Sequence, residues 1–493
     1  MKKTFLTILI LVICSLVSKS EDYNLTLDES INIAKSKSYS MLRLMQDFKI
    51  AEYNLKSATS KLKTHIDLTF KTPQYSEEVR NREEPDGQLS FYSVKQISYA
   101  GNLTIRQPLP TDGNIYIEND LYSSENMKSN LRSSELETRI RLNQPLNAFW
   151  YNSIKATLKR AQLAYEQSGK ALKREELNLI YRVSSSYYNL LLLQKSAEIA
   201  HSDLERQTEA FEISKNKYEA GLIREVDALQ MEVDLAEAQS NYDIAILRRE
   251  SAVNSFKELL GINLDDNISL NSDLEYKFVI VDPEQAVRFA LENRLEIREQ
   301  EIQIELQQLT VKQQKSAGMI QGDIDAYWGK YGYDQKDYYV SFSKSIENSY
   351  DYYRRNSSYG IGLTIKIPIL DWGENKALVR AAESRLKQYT LRKEEVEREI
   401  ETEVRNLAAS VNSNLKRLQL LEKNVSVAEK SFEITRQRFS DGDIDSQALA
   451  LERNRLNTAY TSHLSAYINY QLTLADLMQK TFYDFLNEKK VDD

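Results

Sequence analysis

The sequence has very little cysteine and histidine, and it has no surplus of positive charge. Its 493 residues include one cysteine, Cys14, and three histidines, His65, His201 and His463, which are far apart and lack the spacing of a metal site. No nucleophile and base are patterned for catalysis either, so we predict no metal, no cofactor and no enzyme activity. With 65 basic against 73 acidic residues, the chain lacks the positive field that nucleic acid requires, and we expect no nucleic-acid partner.

The chain also lacks a long apolar run after its first twenty residues. There, two lysines precede an apolar stretch from Phe5 to Val17, which predicts a signal peptide at 1–20 that takes Cys14 with it. The alternative is that Cys14 carries a lipid. No later stretch has 18 uninterrupted apolar residues, so no transmembrane helix is predicted. An exported chain of this kind is periplasmic, secreted, or a β-barrel of the outer membrane.

Proline is placed very unevenly, and the chain repeats itself. No proline falls between 146 and 282 or after Pro368, which predicts unusually long helices in both regions. Phe211-Glu212-Ile213 and Gly221 recur as Phe432-Glu433-Ile434 and Gly442. We therefore predict two tandem repeats, each built as helix, strands, long helix, tight turn and long helix. The predicted boundaries are a first repeat at 21–262 with strands at about 64–145, a linker at 263–281, a second repeat at 282–482 with strands at about 320–368, and a polar tail at 483–493.

Alternating apolar residues predict strands in both repeats. In the first, 65–71 alternates, Ile140 and Leu142 alternate before Pro145, and between them 99–108 with 114–122 forms an added hairpin around Thr111-Asp112-Gly113. In the second, the candidates are 321–331 and 358–367. Tyrosines crowd around this second pair, which is typical of an interfacial aromatic girdle, although tyrosine is common in any strand. Two or so strands per repeat are too few to close a barrel within one chain, since a barrel needs about eight. If these strands cross a membrane, several copies must therefore combine.

The helix after Gly221 carries two heptad-spaced apolar seams on nearly opposite sides, which favours a curved wall of helices over a compact bundle. The first seam consists of Met231, Leu235, Ala238, Tyr242, Ala245, Ala252 and Phe256, and the second of Leu229, Val233, Ala236, Ser240, Ile244 and Leu247.

Gly221 and Gly442 mark the reversals between long helices, where glycine tolerates a left-handed backbone. We call these reversals the tips. The simplest interpretation is two helix caps, and the functional one is a pair of exposed docking points. Asp441, Asp443 and Asp445 make the second tip acidic. Such a cluster is either solvated or, if symmetry brings copies together, a ring that attracts cations.

These features together resemble the TolC-like outer-membrane efflux protein family. The resemblance covers about 25–480 and rests on the tandem duplication, the tip glycines, Glu258-Leu259-Leu260-Gly261 and the junction Ile367-Pro368-Ile369-Leu370-Asp371-Trp372-Gly373. It implies a mainly α fold with a β-barrel portion: a homotrimer in which four strands per copy form a twelve-stranded outer-membrane barrel, continued by a periplasmic α-helical barrel.

The resemblance also implies a function and partners. The chain would be a passive exit duct in the outer membrane of a diderm bacterium, reaching into the periplasm and contacting outer-membrane lipid. It would serve tripartite efflux or type I secretion, with a periplasmic adaptor and an inner-membrane pump as partners. The alternative function is a periplasmic coiled-coil scaffold without a channel.

Site residues follow from the same resemblance. The tip segments that would dock the adaptor are Ala220, Gly221, Leu222, Ile223, Gly442 and Ile444. Asp227 matches a gate aspartate, but Phe439 and Ile444 replace the family's gate tyrosine and arginine, and Ala448 and Leu451 replace its acidic ring. We therefore expect Asp441, Asp443 and Asp445 to supply the charge of the constriction, together with Asp227.

Overall fold

The computed structural model describes residues 22–85, 87–270 and 276–490, except for the side chains of Asp22 and Thr72. The predicted signal peptide and Cys14 lie outside these residues, as does part of the predicted linker.

Helices make up most of the described chain. In order they are α1 (Leu27–Lys37), α2 (Tyr39–Ser60), α3 (Ser153–Glu219), α4 (Glu225–Leu260), α5 (Pro283–Asn293), α6 (Leu295–Ala317), α7 (Phe342–Arg355), α8 (Glu374–Asp441) and α9 (Ser446–Thr481), with a short 3₁₀ helix at Leu146–Phe149. Helices α3 and α8 have 67 and 68 residues, about 100 Å each at 1.5 Å per residue. The prediction of unusually long helices is confirmed. Within the described ranges, none of the helices has the combined length and hydropathy of a membrane span.

The strands form one large sheet and two small pairs. They are β1 (Asp22–Leu25), β2 (His65–Glu83), β3 (Leu89–Pro108), β4 (Asn114–Asn126), β5 (Leu131–Pro145), β6 (Asn267–Leu270), β7 (Gln321–Gln335), β8 (Ser358–Lys366), β9 (Tyr483–Asp484) and β10 (Lys489–Lys490). The large sheet has the order β2-β3-β4-β5-β7-β8, and every neighbouring pair is antiparallel. Strand β6, inside the predicted linker, pairs in parallel with β1.

The chain divides into two compact units. One comprises residues up to 47, 169–299 and from 393 onwards, and the other comprises 48–168 and 300–392. The first unit, which we call the helical unit, holds the main apolar core, with Val183 of α3, Phe256 of α4, Val404 of α8 and Tyr470 of α9 buried together. The Tyr470 hydroxyl donates to the Lys277 carbonyl at 2.8 Å, so this buried polar group is satisfied.

The second unit, which we call the sheet unit, contains the whole six-stranded sheet. Alternation places most of the apolar side chains of the sheet on one face, although Asn119, Thr138 and Lys330 also lie on that face. The predicted hairpin at 99–108 and 114–122 is confirmed as β3 and β4, both longer than expected. The turn between them places Asp112 at φ 66°, and its carboxylate accepts from the backbone N–H of Ile154 at 2.7 Å in the first turn of α3.

The strand count differs from the expectation. The resemblance implied four strands per copy, whereas this sheet has six. Short alternating segments identified parts of the strands but not their extent, because the second half of β2 is polar on both faces, with Glu77, Glu78 and Arg80 all exposed. Pairing with β3 over 77–83 holds this polar segment in the sheet.

A helix also appears where only strands and loops were expected. Helix α7 packs on the apolar face of the sheet through Ser345, Ser349 and Tyr353. Ser349 Oγ donates to the Ser134 carbonyl at 2.9 Å, and the Tyr353 hydroxyl donates to Thr138 Oγ1 at 2.8 Å. The approach requires Gly332, where an added Cβ would lie 2.0 Å from the Ser349 carbonyl oxygen. Several tyrosines of the predicted girdle therefore lie on a helix, and their membrane position stays a prediction.

Candidate functional site at the helix tips

The first tip closes α3 with a glycine-centred cap. The Leu222 N–H donates to the Lys217 carbonyl and the Gly221 N–H donates to the Tyr218 carbonyl, both at 2.8 Å. Gly221 has φ 69°, a conformation that is strained for residues with a Cβ. The cap leaves Ala220, Gly221 and Leu222 exposed, with Leu222 presenting 74% of its surface, while Ile223 is half-buried.

The second tip repeats this geometry. The Asp443 N–H donates to the Arg438 carbonyl at 2.9 Å, and the Gly442 N–H donates to the Phe439 carbonyl at 3.1 Å. Gly442 has φ 89° and is exposed. Ile444 is half-buried against the apolar cluster below the tip, so its side chain is less accessible to a partner than that of Leu222.

The four predicted acidic residues have different local roles. Asp227 forms a bidentate pair with Arg224, with Arg224 Nε and Nη2 at 3.0 and 2.9 Å from its two oxygens. The hydrogen bond from Arg224 holds the pKa of the Asp227 carboxyl below its usual value. Asp445 is the N-cap of α9, and its side chain accepts from the Ala448 N–H at 2.9 Å.

The carboxylates of Asp441 and Asp443 have no charged partner among the described residues. Gln437 Nε2 donates to both oxygens of Asp441, at 3.1 and 3.3 Å. Asp443 is exposed, and in the described part of the chain its carboxylate has neither a hydrogen-bond donor nor a salt-bridge partner. Of the predicted constriction residues, Asp443 is thus the one whose charge is fully available.

A small apolar cluster joins the two repeats directly below the tips. It buries Ala210 of α3, Met231 of α4, Phe432 and Phe439 of α8, and Leu449 and Leu456 of α9. Phe439, which stands in the position of the family's gate tyrosine, is 5% exposed. Since it has no hydroxyl and faces this cluster, its side chain packs the tip and does not hydrogen-bond across it.

The sequence analysis missed one residue that bridges the tips. Lys217 Nζ donates to the Phe439 carbonyl at 2.5 Å and lies 4.7 Å from the centre of the Phe439 ring. The repeat contained a signal for it, since Lys217 and Arg438 are both basic and both stand four residues before a tip glycine. Farther from the tips, Arg436 of α8 pairs with Glu209 of α3 at 3.0 Å, another link between the repeats.

The two seams of α4 differ sharply in burial. In the first seam, Met231, Ala238 and Phe256 are at most 4% exposed, which confirms the prediction for that seam. In the second seam, Leu229, Val233, Ile244 and Leu247 are 43–66% exposed. Helix α8 carries a matching exposed series at heptad spacing, Leu420, Val427 and Ile434. These apolar helix faces are therefore not covered by any of the residues that the structure describes.

The chemistry of this site is electrostatic and mechanical. In the described residues, no group of histidine, cysteine and acidic side chains is arranged to hold a metal ion. The tips provide exposed backbone and Leu222 for contact with a partner, and the free carboxylate of Asp443. Two noncovalent contacts, Lys217–Phe439 and Arg436–Glu209, join the repeats and can break reversibly.

Comparisons with known proteins identify the family of this chain and proteins of similar fold. The family described as "Outer membrane efflux protein" matches residues 115–262 and 286–481. The alkaline protease secretion protein AprF of Pseudomonas aeruginosa is 23% identical over 311 residues, which cover 61% of this chain and 62% of the relative, somewhat less than two thirds of its length.

Solved structures share the fold at low sequence identity. The CmeC outer membrane channel of Campylobacter jejuni gives a TM-score of 0.69 at 14% identity, covering 97% of this chain and 92% of CmeC. The outer membrane protein VceC of Vibrio cholerae gives a TM-score of 0.67 at 14% identity, covering 92% and 95%. The chain belongs to the outer membrane efflux protein family, whose members are channels, not enzymes, and lie in the outer membrane with an extension into the periplasm.

Proposed function

We propose that three copies of this chain form a passive exit duct across the outer membrane and the periplasm. The pooled sheets form the wall within the lipid, and the long helices form the periplasmic tunnel. An adaptor and an inner-membrane pump engage the tips, and a rearrangement of the helices there opens the duct. Because the family consists of channels, we prefer this function to the alternative of a coiled-coil scaffold without a channel.

One observation carries this proposal: the sheet has an apolar face, a polar face and two unpaired edges. Ile66, Leu68 and Phe70 on edge strand β2 are 60–73% exposed, and Ile361, Leu363 and Ile365 on edge strand β8 are 53–81% exposed. Unpaired backbone groups are costly in lipid, so an open sheet cannot stand alone there. Pairing these edges between copies closes the wall.

The exposed helix seams support the same assembly. The second seam of α4 and the exposed series of α8 each need an apolar neighbour, and neighbouring copies in a ring provide one. Burying four half-exposed aliphatic side chains per copy contributes several kcal/mol, at roughly 25 cal/mol per Å² of apolar surface.

The tips support gating and docking. Ala220, Gly221, Leu222 and Gly442 are the accessible part of the predicted adaptor surface, with Ile223 and Ile444 supporting them from below. Asp443 supplies the charge at the constriction, while Asp227, Asp441 and Asp445 also hold the tips in shape. Lys217 takes over the locking role that Phe439 cannot perform.

The names of similar proteins suggest which kind of system this duct serves. AprF is named as a secretion protein and the family is described as an outer membrane efflux protein family, so we propose that this duct serves either a secretion system or an efflux system. Neither name identifies a cargo for this chain.

The assembly is tested on the purified, detergent-solubilised chain. Chemical cross-linking should end at three copies, and planar bilayers containing the protein should show discrete channel openings. A stably monomeric preparation without conductance would contradict the proposal.

The gate is tested separately with Lys217→Met. Losing a charge-assisted hydrogen bond, about 1.5–3 kcal/mol, should raise the resting open probability by about tenfold to a hundredfold. Lys215→Met is the matched control, because Lys215 is exposed on the same helix end. Equal resting activity in both variants would remove Lys217 from the gate.

A further inference from the structure

The added hairpin β3–β4 is a continuous part of the sheet. Strand β3 pairs with β2 from Leu89 to Arg106 and with β4 from Gln96 to Pro108, and β4 pairs with β5 over its whole length. A hairpin folded away from the wall would lack one of these ladders. Here each of the two strands has hydrogen-bonded neighbours on both sides.

One row of the apolar face crosses all six strands without a break at the hairpin, whereas the next row includes Asn119, Thr138 and Lys330. The unbroken row of directly paired residues runs from edge to edge, and each member is apolar or aromatic. The row consists of Ile66, Ile105, Ile117, Ile140, Trp328 and Tyr359. A strand whose outward residues match the row on both sides is suited to the same lipid-facing surface as its neighbours.

The polar face is equally continuous. Asn102 Nδ2 of β3 donates to Asp120 of β4 at 2.5 Å, and Arg141 of β5 pairs with Glu118 of β4 at 3.1 Å. Asn143 of β5 then donates to Asp325 of β7 at 2.8 Å. The hairpin thus takes part in the same network of polar cross-strand contacts as the strands predicted in the second repeat.

We infer that the hairpin is part of the membrane wall, so that each copy contributes six strands and the assembled barrel has eighteen. This rests on the proposed trimer: three copies of a six-stranded sheet give that number, with β8 of one copy pairing with β2 of the next. Barrel diameter grows roughly linearly with strand number, so the lumen is about half as wide again as that of a twelve-stranded barrel. Barrels of about 16–18 strands enclose an open aqueous channel, so the constriction of this duct lies at the tips and not in the membrane.

Paired cysteines test which strand meets β8 of the neighbouring copy. The only native cysteine is Cys14, so engineered pairs in the sheet stand out clearly. Ile66→Cys, Leu68→Cys and Phe70→Cys on β2 are each combined with Tyr359→Cys, Ile361→Cys or Leu363→Cys on β8. The comparison set combines Ile115→Cys or Ile117→Cys on β4 with the same β8 positions.

The two sets distinguish the possible walls on a denaturing gel after oxidation. At least one β2–β8 combination should give covalent trimers, and the β4–β8 set should give none. Trimers from the β4–β8 set alone would mean that β2 and β3 lie outside a twelve-stranded wall, which overturns the inference and leaves the proposed trimer intact. No cross-link in either set, with a monomeric protein, overturns both.

A deletion provides a second measurement. Removing 84–126 takes out β3 and β4 and joins β2 to β5, which run in opposite directions with Ile66 and Ile140 on the same face. Electron microscopy of the deletion variant and the full chain should show barrel diameters in a ratio of about two to three. Equal diameters would overturn the inference.

Discussion

Arg294 is the centre of a cluster of salt bridges in the helical unit. Its side chain is 8% exposed and contacts Glu296 at 2.8 Å and Glu403 at 2.9 Å, and Lys480 also contacts Glu403 at 2.8 Å. Burial by itself raises the pKa of Glu403, but hydrogen bonds from Lys480 and Arg294 outweigh it and hold that pKa below its usual value. The cluster therefore joins the α5–α6 junction to α8 and α9 as a set of charged partners.

Removing Arg294 should destabilise the protein markedly. Arg294→Ala leaves partly buried carboxylates without their cation, and we expect a loss of about 2–3 kcal/mol in the free energy of unfolding, less than for a fully buried pair because Glu296 and Glu403 are partly exposed. Denaturant unfolding followed by circular dichroism measures it. The control is Arg405→Ala, since Arg405 pairs with Glu284 and Glu401 while 47% exposed and should cost less than about 1 kcal/mol. Equal losses in both variants would contradict this account of the cluster.

Asp227 gives the first tip a defined acid sensitivity. Its pKa is lowered by Arg224 below the ordinary 3.8, so the pair contributes fully above that value and is lost as the pH falls through the lowered pKa. Hydrogen-exchange protection factors of 222–228 should therefore drop only below about pH 4. Asp227→Asn should show the lowered protection already at neutral pH, whereas Asp443→Asn, which breaks no pair, should not. Protection that is independent of pH in the native chain would contradict this.

Among the elements, α4 has one seam that is buried inside the chain and a second seam that the proposed trimer would cover. The first seam packs inside the chain, with Met231 and Ala238 buried, whereas Val233 of the second seam is 61% exposed. A charge at Val233 should therefore leave the fold of one copy intact and, in the proposed trimer, act on the contact between copies.

Val233→Glu should weaken the trimer without unfolding the monomer. Placing three carboxylates in an apolar contact costs several kcal/mol of association, enough to shift the oligomer towards monomer at micromolar concentration. Analytical ultracentrifugation measures the shift, and circular dichroism checks the helix content. Gln239→Glu makes the same charge change at an exposed polar position of α4 and should leave the trimer unchanged. A Val233→Glu trimer as stable as the native one would place this seam outside the interface.

Elements with strong periodicity or unusual composition were predictable from sequence. The absence of proline after Pro368 and the repeated glycines predicted α8 and both tips, and alternation predicted a part of each strand of the large sheet. Helix α7 was not predictable in this way, because its buried side is formed by Ser345 and Ser349. Serine is common in loops, and these two serines can pack against the sheet only because Gly332 of β7 has no side chain. The extent of β2 depends on pairing with β3, and the Lys217–Phe439 contact joins residues 222 positions apart. Both are tertiary effects that no local pattern contains.

Charge at the scale of the whole molecule depends on symmetry. The chain has a net charge of −8, but only carboxylates that meet on the axis of a ring affect what passes through it. Within one copy, the second tip carries three aspartates, of which Asp445 caps α9 and Asp441 accepts from Gln437. Three copies would bring three unpartnered Asp443 side chains to one constriction, and their fields would add.

Asp443→Asn should therefore account for most of the cation preference of the channel. Two unit charges interact by about 1 kcal/mol at 4 Å in water, so removing a ring of three should lower the ratio of potassium to chloride permeability by about twofold or more. Reversal potentials in a potassium chloride gradient measure this ratio. Asp443→Glu keeps the charge and should keep the preference, which separates charge from shape. The triple Asn variant at Asp441, Asp443 and Asp445 should add little selectivity change beyond Asp443→Asn, and asparagine at position 445 should keep the N-cap of α9, because asparagine and aspartate cap helices about equally well. If the single variant retains full cation preference and the triple variant loses it, the selecting charge lies on Asp441 or Asp445. The constriction would then be lined by one of these residues and not by Asp443.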